Sequence, residues 1–189
     1  MSEKMKDILE DFHDNGIYVP RRTIELFGEV NLEMFKNVFK NLHVLDNTPG
    51  DINIIINSEG GDVTQGKAIY QAIKGCQNHV TGIVYGEASS AASFILQSCD
   101  SRIMTPDSFL MLHVGEEGMG SNHPRNIDRL HAFYRSNEAW MEDVYLKRIK
   151  EKRKRYTRHQ LKSMLQFDKF LSPQESLDLG LIDQIKERL

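Results

Sequence analysis

Twice in its first hundred residues the chain makes the same move. "INIIIN" (Ile52–Asn57) runs into "SEGGD" and then a pattern with Ala68, Ile69, Ala72 and Ile73 at helical spacing. "VTGIVY" (Val80–Tyr85) runs into "GEASSAAS" and the apolar "FIL". A short β-branched run bounded by glycine suits a strand covered on both faces better than a helix. Strands that alternate with helices are joined by crossovers, which makes neighbouring strands parallel. The expected class is therefore α/β. With 189 residues the chain is long enough for one domain with a sizeable core.

The flanking segments fit that frame. "RTIELFG" reads as a strand ending at Gly28, and "NLEMFKNVFKNLHVL" as a helix with Met34, Val38, Leu42 and Leu45 on one face. "RIM" and "SFLMLH" read as short strands. A long helix is expected from about Asn126, with Ile127, Leu130, Phe133 and Tyr134 on its early face. Thr157 with Gln160, and Ser172-Pro173 with Glu175, are capping boxes, and Gly180 is placed to stop the second helix. Met5, Ile8, Leu9 and Phe12 predict a short amphipathic helix before the breakers Asn15-Gly16 and Pro20.

Composition excludes several classes. With 40% hydrophobic and 27% charged residues, the chain is neither disordered nor a disulfide scaffold. Cys76 and Cys99 sit in apolar surroundings without CxxC spacing and read as buried free thiols. No apolar stretch approaches the ~20 residues that span a bilayer, and the charged N-terminus lacks a signal-peptide core. The expectation is a soluble, cytoplasmic protein that does not bind membranes. The net charge of -3 gives no global nucleic-acid signal. "KRIKEKRKRYTR" (Lys147–Arg158) holds eight Lys or Arg and one Glu. Without aromatic interleaving it reads as a solvated face or a site for an acidic partner surface.

Four places could carry chemistry. Serine is a poor nucleophile until a base, usually a histidine held by a carboxylate, takes its proton. A strand-to-helix turn exposes such a serine beside backbone N–H groups that can stabilise an oxyanion. "VTGIVYGEASS" has that form, although Ser89, Ser90 and Ser93 could equally serve close packing. His113 ends "SFLMLH", where it faces a cleft or caps the strand; a glycine-rich "VGEEGMG" follows. Asp168 in "QFDKFLS" is a lone acid among apolar residues, partly buried with a partner or placed in a helix-edge salt bridge. Gly60-Gly61 could approach a phosphate or an oxyanion, but no Walker or GxGxxG pattern is complete. The remaining histidines show no metal-ligand spacing.

Together these motifs resemble the ClpP family, the proteolytic subunits of the Clp ATP-dependent protease. "INIIINSEGGDVTQGKAIYQAI", "GEASSAASFIL", "RIMTPDSFLMLH" and "FDKFLSPQESLDLGLIDQI" match the family in order, from about Arg22 to Ile185. The resemblance implies a ClpP/crotonase-like spiral of β-β-α units with a protruding helical handle at about 114–167. It implies an N-terminal segment, 1–20, ahead of a single peptidase domain, 21–189. It places the nucleophile on Ser90, the fourth residue after Gly86, the base on His113 and the acid on Asp168. The oxyanion donors fall on the backbone N–H groups of Gly61 and Ala91.

The implied activity is serine-type endopeptidase cleavage of unfolded chains inside two stacked heptameric rings. The implied partner is an AAA+ unfoldase of the ClpX, ClpA or ClpC type, which uses the ATP; the peptidase itself needs no metal or cofactor. Glu59 stands where the family has proline, and Val114-Gly115 where it has glutamine-proline, so the member is divergent. The alternatives are a crotonase-type acyl-CoA enzyme, which needs a glycine-built oxyanion hole but not this triad, and a non-catalytic ring subunit.

Overall fold

The computed structural model describes residues 16–113 and 124–187. The amphipathic segment around Met5 and the glycine-rich segment after His113 lie outside them. The chain order is β1 (Ile17–Tyr18), β2 (Thr23–Val30), α1 (Leu32–Asp46), β3 (Ile52–Gly61), α2 (Val63–Lys74), β4 (Val80–Ser89), α3 (Ala91–Leu96), β5 (Ser101–Met104) and β6 (Phe109–Leu112). It continues with α4 (Pro124–Lys152), α5 (Arg158–Met164), β7 (Lys169–Leu171), α6 (Pro173–Leu179) and β8 (Gln184–Ile185).

The sheet runs β1-β2-β3-β4-β5-β8, and the pairs from β2 onward are parallel, as the alternation of strand and helix requires. Strand β4 serves two neighbours. Its first half pairs with β5 and its last residues, Glu87–Ser89, pair with β6. Strand β6 in turn pairs antiparallel with β7.

Helices α1, α2 and α3 cover one face. Ile52, Ile54 and Ile56 of β3 point into it and are wholly buried, each worth about 1.5–3 kcal/mol of apolar burial. The expectation that "INIIIN" is covered on both faces fails. Asn53 and Ile55, on the other face, are only partly buried and Asn57 is exposed. That face carries a hollow lined by Tyr18, Thr23, Ile55 and Tyr85 instead of helices.

Local chemistry sets the element ends. Asn31 Oδ1 accepts the N–H groups of Glu33 and Met34 and starts α1, whose Met34, Val38, Leu42 and Leu45 are buried. Both expected capping boxes form, and Gly180 ends α6 at φ 83°. Strand β2 passes through Gly28 instead of ending there. Gly28 adopts φ 76° at a register shift, and pairing resumes at Glu29.

Helix α4 divides in two. Met141, Val144, Tyr145, Leu146 and Ile149 are buried, but on the early stripe Ile127 and Phe133 are exposed and Leu130 and Tyr134 only partly buried. Both cysteines are free thiols. Burial, aided by nearby carboxylates, pushes Cys76 up to about 11 and Cys99 up to about 12, so neither is a poised nucleophile.

Candidate active site

The C-terminal ends of β3, β4 and β6 bring the site together. The parallel register of β4 and β6 sets Ser89 opposite Met111, and the Ser90 N–H donates to Met111 O at 2.8 Å. The antiparallel register of β6 and β7 pairs Leu112 with Lys169. One further step along that register sets His113 opposite Asp168. Strand pairing therefore brings together residues that lie 23 and 55 positions apart in the chain.

Ser90 Oγ lies 2.7 Å from His113 Nε2. His113 Nδ1 faces Asp168 Oδ1 at 3.4 Å, an ion-pair distance longer than a good hydrogen bond. Asp168 is not the partly buried acid that its neighbours suggested. Its side chain is 61% exposed, because Phe167 and Phe170 beside it also face outward.

Ser90 joins β4 to α3 at φ 51° and ψ −119°. A side-chain-bearing residue rarely adopts that conformation, and such strain gathers at functional turns. The turn is possible because Gly60 lies directly beneath it. A Cβ on Gly60 would stand 2.6 Å from Ser89 O, 2.7 Å from Ser90 Cβ and 2.9 Å from Ala91 N. Gly61, at φ 145°, follows immediately. Gly60 is thus packed against Ser90 and Ala91, while Gly61, the next residue, lies against Val30 of β2. Glu59 is exposed, and the turn is braced by Ser58, whose hydroxyl donates to Gly28 O at 2.5 Å and accepts the Gly60 N–H at 3.1 Å.

Three supporting groups were not apparent from sequence. Gly60 is in close contact with the Ser90 turn. Ser93 Oγ lies 2.6 Å from both Ser90 O and Tyr145 Oη; its position one helical turn beyond Ser90 is a recognisable side-chain-to-backbone pattern. Arg148, inside the basic run, donates to Gln97 O and Cys99 O and closes the C-terminal end of α3. Lys152 and Arg153 likewise donate to Leu177 O and Asp178 O, and Arg158 pairs with Glu142 and Asp143. Half of the run's eight cations thus hold the chain's own helices together.

A second serine, histidine and aspartate meet at the other end of the sheet. His79 Nε2 lies 2.9 Å from Ser101 Oγ, and His79 Nδ1 lies 4.0 Å from Asp100 Oδ2. Among the described residues no group of three or more His, Cys, Asp or Glu could hold a metal ion.

The family comparison agrees with this architecture. The Clp protease family profile matches residues 10–188. The chain belongs to the Clp protease family. An ATP-dependent Clp protease proteolytic subunit from Chlorella vulgaris is 35% identical over 70% of this chain and 64% of its own length. The corresponding Deinococcus radiodurans subunit is 30% identical over 87% of this chain and 79% of its own. A chloroplastic subunit 3 from Arabidopsis thaliana is 29% identical over 93% of this chain, which spans 56% of that relative. Among solved structures, a mutant of ClpP1 from Listeria monocytogenes superposes with a TM-score of 0.78 over 96% of both chains at 24% identity. The fold is thus ClpP-like. No helix among the described residues is long and apolar enough to cross a membrane.

Proposed function

We propose that this chain is a ClpP-like serine endopeptidase with Ser90 as nucleophile, His113 as base and Asp168 as the acid that orients it. The observation that carries this reading is the 2.7 Å contact between Ser90 Oγ and His113 Nε2 at a serine held at φ 51°. Ser90 Oγ attacks the scissile carbonyl while His113 Nε2 takes its proton. The N–H groups of Gly61 and Ala91 hold the resulting oxyanion. His113 then passes the proton to the leaving amine, and the acyl-enzyme is hydrolysed by water with the same base. Asp168 keeps the Nδ1–H tautomer by accepting from it as the 3.4 Å gap closes. Each step uses a side chain or backbone group of this chain, so the chemistry calls for no metal or cofactor.

The oligomer is proposed as two stacked heptameric rings, with α4 and α5 as the handle of a single domain from residue 21 onward. The uncovered Ile127 and Phe133 of α4 supply apolar surface for contact between copies. An AAA+ unfoldase would feed unfolded polypeptide, with ATP used by that partner in the cytoplasm. An acyl-CoA enzyme would need the glycine-built oxyanion hole but has no use for the serine–histidine contact.

A fluorophosphonate probe, adduct mapping and short-peptide cleavage test the reading. Labelling on Ser90, and loss of at least about a thousandfold in kcat in Ser90→Ala, are expected. A label on Ser89 or Ser93, or unchanged cleavage in the variant, refutes it. Native mass measurement tests the assembly, and a stable monomer contradicts the rings.

A further inference from the structure

The peptide unit that joins Ser90 to Ala91 has two ends. Its N–H, on Ala91, is the proposed oxyanion donor. Its C=O, on Ser90, accepts from Ser93 N at 3.0 Å and from Ser93 Oγ at 2.6 Å. A peptide is planar, and in a trans peptide the C=O and N–H point in opposite directions. Whatever holds the carbonyl therefore aims the N–H. The torsion that sets this plane is Ser90 ψ, at −119° in a residue whose φ is 51°. No ordinary well for a side-chain-bearing residue keeps it there.

Ser93 has one hydroxyl proton, and it goes to Ser90 O. The Tyr145 hydroxyl, 2.6 Å from Ser93 Oγ, must then be the donor in that pair. Ser93 is fully buried and Tyr145 nearly so, leaving no water to substitute for either. Burial pushes the Tyr145 phenol upward, so it keeps its proton at any working pH.

We propose that Tyr145 is a positioning residue for the oxyanion hole. Its O–H donates to Ser93, the Ser93 O–H donates to Ser90 C=O, and the Ala91 N–H is thereby aimed at the substrate oxygen. Each bond polarises the next, which also makes the Ala91 N–H a better donor. A role confined to docking α4 on α3 is less apt, because Arg148 on the same helix already ties down the other end of α3. The inference rests on the reading of Ser90 and Ala91 given above.

The test uses the full-length assembled protein in five forms: wild type, Tyr145→Phe, Ser93→Ala, the double variant and Ser90→Ala. Readouts are kcat and KM on a short peptide, binding of a peptide boronate whose tetrahedral adduct places an oxygen in the hole, melting temperature and native mass. Tyr145→Phe is expected to lower kcat and boronate affinity about tenfold with KM within about twofold, less than removal of a whole oxyanion donor. The double variant should be within about twofold of Ser93→Ala, because one chain is broken only once.

Unchanged kcat in Tyr145→Phe, or multiplying effects in the double variant, overturns the proposal. A fall in kcat that tracks melting temperature while boronate affinity holds also overturns it. If Tyr145→Phe fails to assemble, Ser93→Ala decides by the same boronate criterion. Cleavage that survives in Ser90→Ala refutes the nucleophile assignment itself, a result distinct from any of these.

Discussion

The sheet carries a serine, a histidine and an aspartate at each end, and the two ends are built differently. At the C-terminal ends of the strands, Ser90 and His113 are 2.7 Å apart; at the N-terminal ends, Ser101 and His79 are 2.9 Å apart. The contact distances barely separate them. The surroundings do. Ser90 occupies a left-handed turn over Gly60, with the peptide of Ala91 alongside. Ser101 is simply the first residue of β5. Asp100 Oδ2 accepts the Val80 N–H at 2.9 Å, so it caps a strand as much as it faces His79. Three residue types within reach of one another are therefore a weak sign of a triad. The strained turn and the donors beside it carry the distinction.

The widest gap between the two ends should appear on removing each histidine. His113→Ala is expected to lower kcat by at least about a thousandfold, whereas His79→Ala should leave it within about twofold. Peptide cleavage by the two purified variants checks this, and equal losses would erase the distinction. A smaller but more telling effect is expected at Gly60→Ala. The added Cβ would meet backbone at 2.6 Å and 2.9 Å, where neither neighbour can yield without moving the serine. A fall in kcat of about a hundredfold is expected, with overpacking strain of about 1–3 kcal/mol seen in a denaturant titration. Near-normal activity there would mean that the glycine does not set the turn.

The smallest effect concerns what anchors the active end. Helix α6 follows the strand beside Asp168, and its capping box includes Glu175. The Ser172 N–H and hydroxyl hold the Glu175 carboxyl below its usual 4.5. A depressed carboxyl favours folding fully above its unfolded value. That contribution fades as pH falls through the lower folded value. Melting temperature should therefore drop slightly more steeply below about pH 4.5 in wild type than in Glu175→Gln.

Much of this was legible in the sequence because it depends on local rules. The β-branched runs, the two capping boxes and Gly180 all appear where their chemistry puts them. Boundaries at glycines were less legible. Gly28 looked like a stop and is a bulge, since only the pairing of β2 with β3 determines which of the two a glycine makes. Ser90, His113 and Asp168 were named together from the family's motif order, and the structure places them beside one another. The exposure of Asp168 depends on which surfaces cover it and left no local trace. Tyr145 was also silent: a tyrosine on an apolar helix face looks the same whether or not its hydroxyl finds Ser93. The basic run read as a solvated face or a site for an acidic partner surface, but half of its cations are directed at the chain's own backbone and carboxylates, which sequence alone does not reveal.

The left-handed serine has a consequence for how such a chain changes over generations. A residue at φ 51° carries a conformational cost that its hydrogen bonds must offset, and the glycine beneath it gives up the packing that a larger side chain would bring. Random substitution tends to remove arrangements of this kind, because relaxing them makes the fold more robust. A lineage that no longer needed the reaction would gain stability by letting the turn go. The bend at Ser90 is thus the part of the molecule that would be lost first if the chemistry ceased to matter.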